Sequence, residues 1–408
     1  MTRPGAGFSA RLLSLATLPD AEAELHRIGV DPAGIALMAG KMLTRCIHLP
    51  GLPCRQANIL KQEMLSLGGD AAVARGTVAC SIERTDVVLI GTEKQLHRLC
   101  DKLKPQPFGL PALGAEIRAL LARAAQPAAY WQTSRRRLQL DRPLIMGILN
   151  VTPDSFSDGG RYATTDLAVE QALAMIDQGA DIIDIGGEST RPGARPVPET
   201  EESGRVVPVI ERLAATTGCP ISIDTWKSGV ARAALAAGAE IVNDISGLGF
   251  DPGMAATVAN ATAGVVLMHT RGTPDAMQAD THYHDLMGEL THYLQQSLAT
   301  ARSAGIADAQ IALDPGIGFA KSADGNLEIL RRLTELSGFG LPLLIGASRK
   351  SFIGSILERP TDDRLLGTAA VVALAVANGA GILRVHDVAA MCDAALMAHA
   401  ITYRRTQL

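Results

Sequence analysis

From Arg142 to the C-terminus the chain alternates short apolar runs with longer amphipathic or Ala-rich stretches. The runs cover residues 144–149, 181–185, 221–223, 240–242, 264–268, 310–313, 343–345 and 381–385. Short continuous apolar runs are what a strand looks like when helices cover both faces of a parallel sheet. Helical patterns fill the intervals, for example 166–178, 200–215, 227–237, 285–304 and 325–336. Eight strand–helix units over about 265 residues predict a (β/α)8 TIM barrel in preference to an open doubly wound sheet.

The pattern before Arg142 is different. Residues 1 to about 40 read as helical, with Asp20 and Asp31 as N-caps. Strands follow at 43–49, 76–82 and 86–90, and helices at 56–67 (closed by Gly68-Gly69), 92–103 and 112–124. Thr92 with Gln95 has capping-box spacing. This βαββα order can close a small sandwich of its own. The fold class expected is therefore α/β, a (β/α)8 barrel with a smaller N-terminal α/β domain. The division is expected at residues 1–138 and 139–408, with the prolines at 105, 107, 111 and 127 marking loops and a linker.

Candidate chemistry collects where the apolar runs stop. The eight runs end in Asn150; Asp184 followed by Gly186-Gly187-Glu188-Ser189-Thr190-Arg191-Pro192; Asp224-Thr225; Asn243-Asp244; Met268-His269; Asp314-Pro315-Gly316; Ser348-Arg349-Lys350-Ser351; and Arg384-Val385-His386-Asp387. A single polar strand end is an ordinary cap. Eight on one rim form the mouth of a barrel, where such folds build their active sites. Asp184, Asp224 and Asp314 with Asn243 suit a planar heterocycle rich in N–H groups, because carboxylates accept and an amide pairs with a lactam edge. Arg191, Lys350, Arg384 and His386 supply positive charge for a phosphate or carboxylate. Asn150 beside acidic groups suits Mg²⁺, an oxygen-seeking ion that keeps part of its water shell.

Composition removes several alternatives. The formal charge is −4, so no global basic field points to nucleic acid or to an anionic membrane. No apolar run approaches the length of a membrane-spanning helix, and the N-terminus lacks a secretory cleavage pattern. Six Cys without a CxxC pair read as reduced thiols of a cytoplasmic protein. Arg135-Arg136-Arg137 reads as solvated linker charge. There is no zinc spacing, no Walker A loop, no Ser-His-Asp order and no GxGxxG after a strand.

Seven ordered stretches carry a resemblance: GILNVTPDSFSDGG, DIIDIGGESTRPGA, ISIDTWK, IVNDISG, DPGIGFAK, SRKSFIG and RVHDV, one for each run except the fifth. From Leu144 to Val388 the chain resembles dihydropteroate synthases. The resemblance implies condensation of 6-hydroxymethyl-7,8-dihydropterin diphosphate with p-aminobenzoate in folate biosynthesis, the reaction that sulfonamides target, and the charges at the strand ends fit an SN1-like displacement. It implies that Asp224, Asn243, Asp314 and Lys350 hold the pterin, with Met268 packing nearby. Asn150, Arg384 and His386 would hold the diphosphate with Mg²⁺, helped by Thr190 and Arg191. The p-aminobenzoate would lie among Thr190, Pro192, Phe319 and Lys350, its carboxylate near Ser351. Phe156 and Asp158 would belong to a mobile first loop, Arg364 would sit near the pocket, and the chain would form a homodimer. Two departures stand out: Ile317 and Ala320, where Phe and Gly are the usual residues. A pterin-dependent methyltransferase and a non-catalytic pterin-binding protein are the alternatives, but neither needs the STRPG and SRKS loops together with Arg384 and His386.

Overall fold

The computed structural model describes residues 10–15, 17–152, 161–189, 196–274 and 276–403. The chain divides into two compact units, Met1–Ala125 and Gln126–Leu408.

The first unit begins with α1 (Leu18–Arg27) and α2 (Pro32–Met38). Thr17 caps α1 and Asp20 closes its capping box from the third helical position, so Asp20 is the reciprocal partner and not the cap itself. Asp31 caps α2 through the Gly34 N–H, as its position predicts. Then come β1 (Thr44–Pro53), α3 (Cys54–Ser66), β2 (Asp70–Val73), β3 (Arg84–Thr92), α4 (Glu93–Leu103) and α5 (Leu110–Ala125). The strands make an antiparallel sheet in the order β1-β3-β2. Ile47, Leu49, Val87 and Leu89 alternate onto one face and bury against Leu60, Met64, Leu96, Leu99 and Leu103 of the helices. Each side chain of this kind contributes about 1.5–3 kcal/mol when fully buried. The capping box at Thr92 and Gln95 forms as expected. The strand expected at 76–82 is instead a run of turns. Gly76 (φ +95°) and Cys80 (φ +48°) are left-handed, which an extended strand cannot accommodate, and β2 pairs with β3 at residues 70–73 in its place.

The second unit opens with a hairpin, β4 (Tyr130–Gln132) and β5 (Arg137–Gln139). Trp131 is fully buried, donates Nε1–H to the Gln310 carbonyl at 2.8 Å, and packs with Leu144, Met146, Ile182, Ile241, Val266, Leu344 and Ile382. Those residues lie towards the starts of the barrel strands, so the hairpin stoppers the barrel floor. Arg136 pairs with the buried carboxylate of Glu240 at 2.6 Å and is not solvated linker charge. The division therefore falls at Ala125/Gln126 and not between residues 138 and 139.

Eight parallel strands follow, each leading to a helix: β6 (Leu144–Asn150), β7 (Ile182–Gly186), β8 (Ile221–Asp224), β9 (Ile241–Asp244), β10 (Gly264–Met268), β11 (Ile311–Asp314), β12 (Leu344–Ile345) and β13 (Ile382–Val385). Neighbours pair in sequence order, β13 returns to β6, and a Leu313–Leu343 bridge joins β11 to the start of β12. The helices are α6 (Arg161–Asp177), α7 (Glu199–Thr216), α8 (Ser228–Ala237), α9 (Met254–Ala261), α10 (Leu286–Ser303), α11 (Ala323–Arg331), α12 (Ser351–Leu357), α13 (Leu365–Ala377) and α14 (Val388–Tyr403). The helix expected to run to 336 ends at Arg331 and continues as a 3₁₀ segment, Leu333–Phe339. Among the barrel strands β10 matches its expected bounds and the others differ by one residue at one or both ends, except that β9 ends two residues later than expected, and the TIM barrel with a smaller N-terminal α/β domain stands. Among the described residues, no helix is long and apolar enough to cross a membrane.

Candidate active site

The residues that end the strands meet at the barrel mouth because parallel strands of similar length finish on one rim. Asp184 is fully buried on β7, and Asp224 and Asn243 are nearly so on β8 and β9. Arg384, one residue before the end of β13, reaches across the mouth: Nε donates to Asp184 Oδ2 and Nη2 to Asp224 Oδ2, each at 2.5 Å. Asn243 Nδ2 donates to the same Asp184 oxygen at 3.1 Å. The other oxygen of each carboxylate, Asp184 Oδ1 and Asp224 Oδ1, is buried without a hydrogen-bond partner. A buried acceptor left unsatisfied costs about 1–3 kcal/mol. Two of them on neighbouring strands mark a place suited to a ligand's donors.

Burial pushes the Asp224 carboxyl up to about 7, with the Arg384 charge opposing and the Asp184 charge reinforcing the rise. Asp314, at the end of β11, is pushed up to about 6 by burial, while the Gly316 N–H it accepts at 2.7 Å holds it back. Arg384 is desolvated too, but Asp184 and Asp224 carry it above its ordinary value, so it stays charged. Glycines keep the space between these groups open. A Cβ on Gly186 would lie 3.7 Å from Asn150 Oδ1 and 3.7 Å from Asp224 Oδ2, and one on Gly346 would lie 3.9 Å from Asp314 Oδ2.

A second cluster stands beside the first. Lys350 Nζ lies 4.2 Å from the centre of the Phe319 ring, a cation–π contact. Met268 packs with Phe319, Ile245 and Met277. Ser351 is exposed at the first position of α12. Arg364 donates to the carbonyls of Arg349, at 3.0 Å, and Lys350, so it shapes the loop carrying Lys350. His386 contacts Ser348 Oγ through Nδ1 at 3.0 Å, and its backbone N–H donates to the same oxygen.

Asn150, Asp184, Asp224, Asn243, Met268, Asp314, Phe319, Lys350, Ser351, Arg384 and His386 thus all lie at or beside the C-terminal ends of the strands. Thr190, Arg191 and Pro192, and the loop residues Phe156 and Asp158, lie outside the described residues. The sequence placed Ser348, Arg349 and Asp387 among the strand ends without a role: Ser348 orients His386, and Arg349 pairs with Asp387 at 2.6 Å, tying the loop after β12 to the end of β13. Both sat inside recognised stretches, but only geometry reveals a side chain that holds another. His269, a strand-end residue, is buried and faces Lys321.

The pterin-binding enzyme model matches residues 146–386 of the chain. A dihydropteroate synthase from Synechocystis is 51% identical over 261 residues, 64% of this chain and 90% of that protein. A probable bifunctional folylpolyglutamate synthase/dihydropteroate synthase from Halobacterium salinarum is 42% identical over 375 residues, 91% of this chain and 44% of that protein. That match is longer than the Gln126–Leu408 unit, so it extends into the first unit. Among solved structures, the dihydropteroate synthase of Xanthomonas albilineans with 4-aminobenzoic acid superposes with a TM-score of 0.64 at 45% identity, over 68% of this chain and all of that one. With the family model spanning the barrel from residue 146 to 386, the chain belongs to the pterin-binding enzyme family.

Proposed function

We infer that the chain is a dihydropteroate synthase. It acts in folate biosynthesis, condensing 6-hydroxymethyl-7,8-dihydropterin diphosphate with p-aminobenzoate to give 7,8-dihydropteroate and diphosphate. The observation that carries this reading is the pair of unsatisfied buried oxygens on Asp184 and Asp224, set beside Asn243 and Asp314. They fit the N–H-rich edge of a pterin.

The residue roles follow from this placement. Asp184, Asp224, Asn243 and Asp314 hold the pterin, Met268 packs on it, and Lys350 reaches it from the rim. Phe319, Lys350 and Ser351 receive p-aminobenzoate, with Thr190, Arg191 and Pro192 assigned by resemblance alone. Arg384 and His386 face the diphosphate. The nucleophile is a neutral aromatic amine, so no strong base is required. The barrier lies in breaking the carbon–oxygen bond to diphosphate. Carboxylates facing the pterin stabilise positive charge developing on its methylene carbon, and Arg384 and His386 stabilise the departing anion, which favours an SN1-like displacement.

Mg²⁺ fits this site as an ion carried largely by the substrate. Among the described residues no cluster of three His, Cys, Asp or Glu could hold a metal unaided, but Asn150 Oδ1 offers a hard oxygen at the mouth. When bound, the ion would neutralise diphosphate charge. A homodimer is supported by apolar side chains left exposed on two packed helices, Leu366 and Leu374 on α13 and Met397 and Ile401 on α14. A monomer mass in sedimentation would remove that proposal.

The test is direct. The chain is incubated with the pterin diphosphate, p-aminobenzoate and Mg²⁺, and dihydropteroate is measured, with a sulfonamide as control. Methyl transfer without dihydropteroate, or pterin binding without turnover, would replace this reading with one of the two alternatives. Release of diphosphate only in step with amine attack, with isotope effects of a tight transition state, would remove the SN1-like course.

A further inference from the structure

We propose that Lys321 is a positioning residue for p-aminobenzoate: its buried ammonium fixes the loop after β11 so that Phe319 is held against Lys350. The proposal rests on the assignment of Phe319 and Lys350 to the amine substrate. Lys321 itself touches neither substrate in this account.

The loop Asp314–Lys321 has an unusual backbone. Gly316 (φ +71°), Gly318 (φ +83°) and Ala320 (φ +50°) are all left-handed, so alternate residues turn the chain away from any regular ladder. At Ala320 the conformation costs about 1–2 kcal/mol, which explains why Gly is the more usual residue there. Without a ladder, the loop's carbonyls need other donors. Lys321 is 4% exposed and supplies them. Its Nζ lies 2.9 Å from each of Gly316 O, Phe319 O and His269 Nδ1, so its three N–H groups are all used.

His269 is built to be the acceptor. It is buried, with Tyr293 edge-on at 4.9 Å between ring centres, and burial first and the Lys321 charge second pull its pKa down to about 2. The ring is therefore neutral and Nδ1 keeps its lone pair. The backbone of His269 also crowds Gly316, where any Cβ would collide with its carbonyl oxygen. Lys321 thus ties the returning loop to the residue after β10 where Gly316 and the His269 carbonyl lie in close approach.

A buried amine is a costly way to fill space: burial pulls the Lys321 pKa down to about 7 against the opposing Asp314 charge, and a methionine would pack as well without desolvating a polar head. What the amine adds is geometry. It holds the carbonyl of Phe319 directly, and Gly318 beside it is seated so tightly that a Cβ would lie 2.9 Å from Lys350 Cδ. Other tethers persist without Lys321: Gln278 donates to Gly318 O, Asn326 accepts from Gly318 N, and Tyr283 donates to Ala320 O. Loss of Lys321 should therefore shift Phe319 within a loop that remains in place. Asp314 is held separately by strand pairing with Met268 and by the His269 N–H on its carbonyl, so the pterin end should move less.

The test compares Lys321→Met, Lys321→Arg, His269→Leu and His269→Gln in the full chain, with KM for each substrate, kcat and thermal unfolding measured together. The wild-type chain is assayed first, and its failure to form dihydropteroate would defeat the functional reading before any variant is judged. Lys321→Met should raise the KM for p-aminobenzoate about tenfold or more while the KM for the pterin diphosphate changes less than about threefold. His269→Leu should follow it, and His269→Gln, which keeps an acceptor, should stay near wild type. Lys321→Arg, whose planar head cannot reproduce the three-way contact, should not rescue. An unchanged p-aminobenzoate KM in Lys321→Met, an equal rise for both substrates, or full rescue by Arg would overturn the proposal. If Lys321→Met does not fold, the two His269 variants decide: Leu and Gln behaving alike would overturn it.

Discussion

Charged side chains are handled differently in the two units. In the Met1–Ala125 unit they pair where water reaches them: Lys102 with Glu63, Arg45 with Glu93, Arg118 with Asp101. In the barrel, Arg384 lies between Asp184 and Asp224, Lys227 between Glu188 and Glu202, and Lys321 between His269 and two carbonyls, all with little or no exposure. Exposed pairs contribute little to stability, whereas buried ones cost desolvation that folding must overcome. Apart from Glu240, which pairs with Arg136 at the floor, these buried charges gather at one end of the barrel and cost stability for the sake of chemistry, whereas the first unit, with no charged side chain buried among its described residues, is held together by its apolar face. The difference locates function without reference to any motif.

The contrast is broken most severely at Lys350. Lys350→Ala should weaken both substrates, since one ammonium stands at both subsites, and lower kcat/KM by about 10³-fold. Retained p-aminobenzoate affinity in calorimetry with a pterin analogue present would contradict the shared role. A graded effect comes from pH. The ionised forms of Asp224 and Asp314 accept from the pterin with both oxygens and carry the negative charge that stabilises the developing cation, and these groups lose their protons near 7 and 6. As pH falls through those values kcat/KM should drop, by about tenfold per unit for each group titrated. Asp224→Asn should abolish the upper break in the profile. Stability runs the other way. Folding raises the Asp224 value from 3.8 to about 7, so the folded chain binds the extra proton within that window. This group therefore destabilises the fold progressively as pH rises through the window, and denaturant midpoints measured at pH 5 and 8 will show the sign. The smallest effect belongs to the first unit. Lys102→Ala should change unfolding free energy by no more than ~0.5 kcal/mol and leave kcat/KM unchanged. A larger loss would mean that the exposed pairs are not equivalent to solvated surface.

How far the sequence spoke depended on the period of the signal. The barrel strands are buried on both faces, so Leu144–Asn150 or Gly264–Met268 reads as an unbroken apolar run with a polar stop, and both the element and its functional end are visible. In the first unit the strands alternate, and a four-residue edge strand such as Asp70–Val73, with one fully buried side chain, is weaker than the apolar run 77–82 that left-handed Gly76 and Cys80 turn into loops. Trp131 was illegible for another reason. Its burial is created by strand starts distant in sequence, from Leu144 to Ile382, and nothing near it announces them. Ser348 and Lys321 share that property. Their neighbourhoods were recognised, but their roles are relations between side chains, which no linear pattern contains.

The stopper at Trp131 has a consequence for traffic. Trp131 fills the strand starts, and among the described residues Asp184, Asp224 and Asp314 lie at the opposite strand ends with Lys350 and Phe319 beside them. An amine resting against Phe319 and Lys350 would lie over a heterocycle held by the carboxylates. Such stacking in depth would make position set order in time: the heterocycle is expected to bind before its partner, and p-aminobenzoate binding in calorimetry should strengthen once a pterin analogue is present.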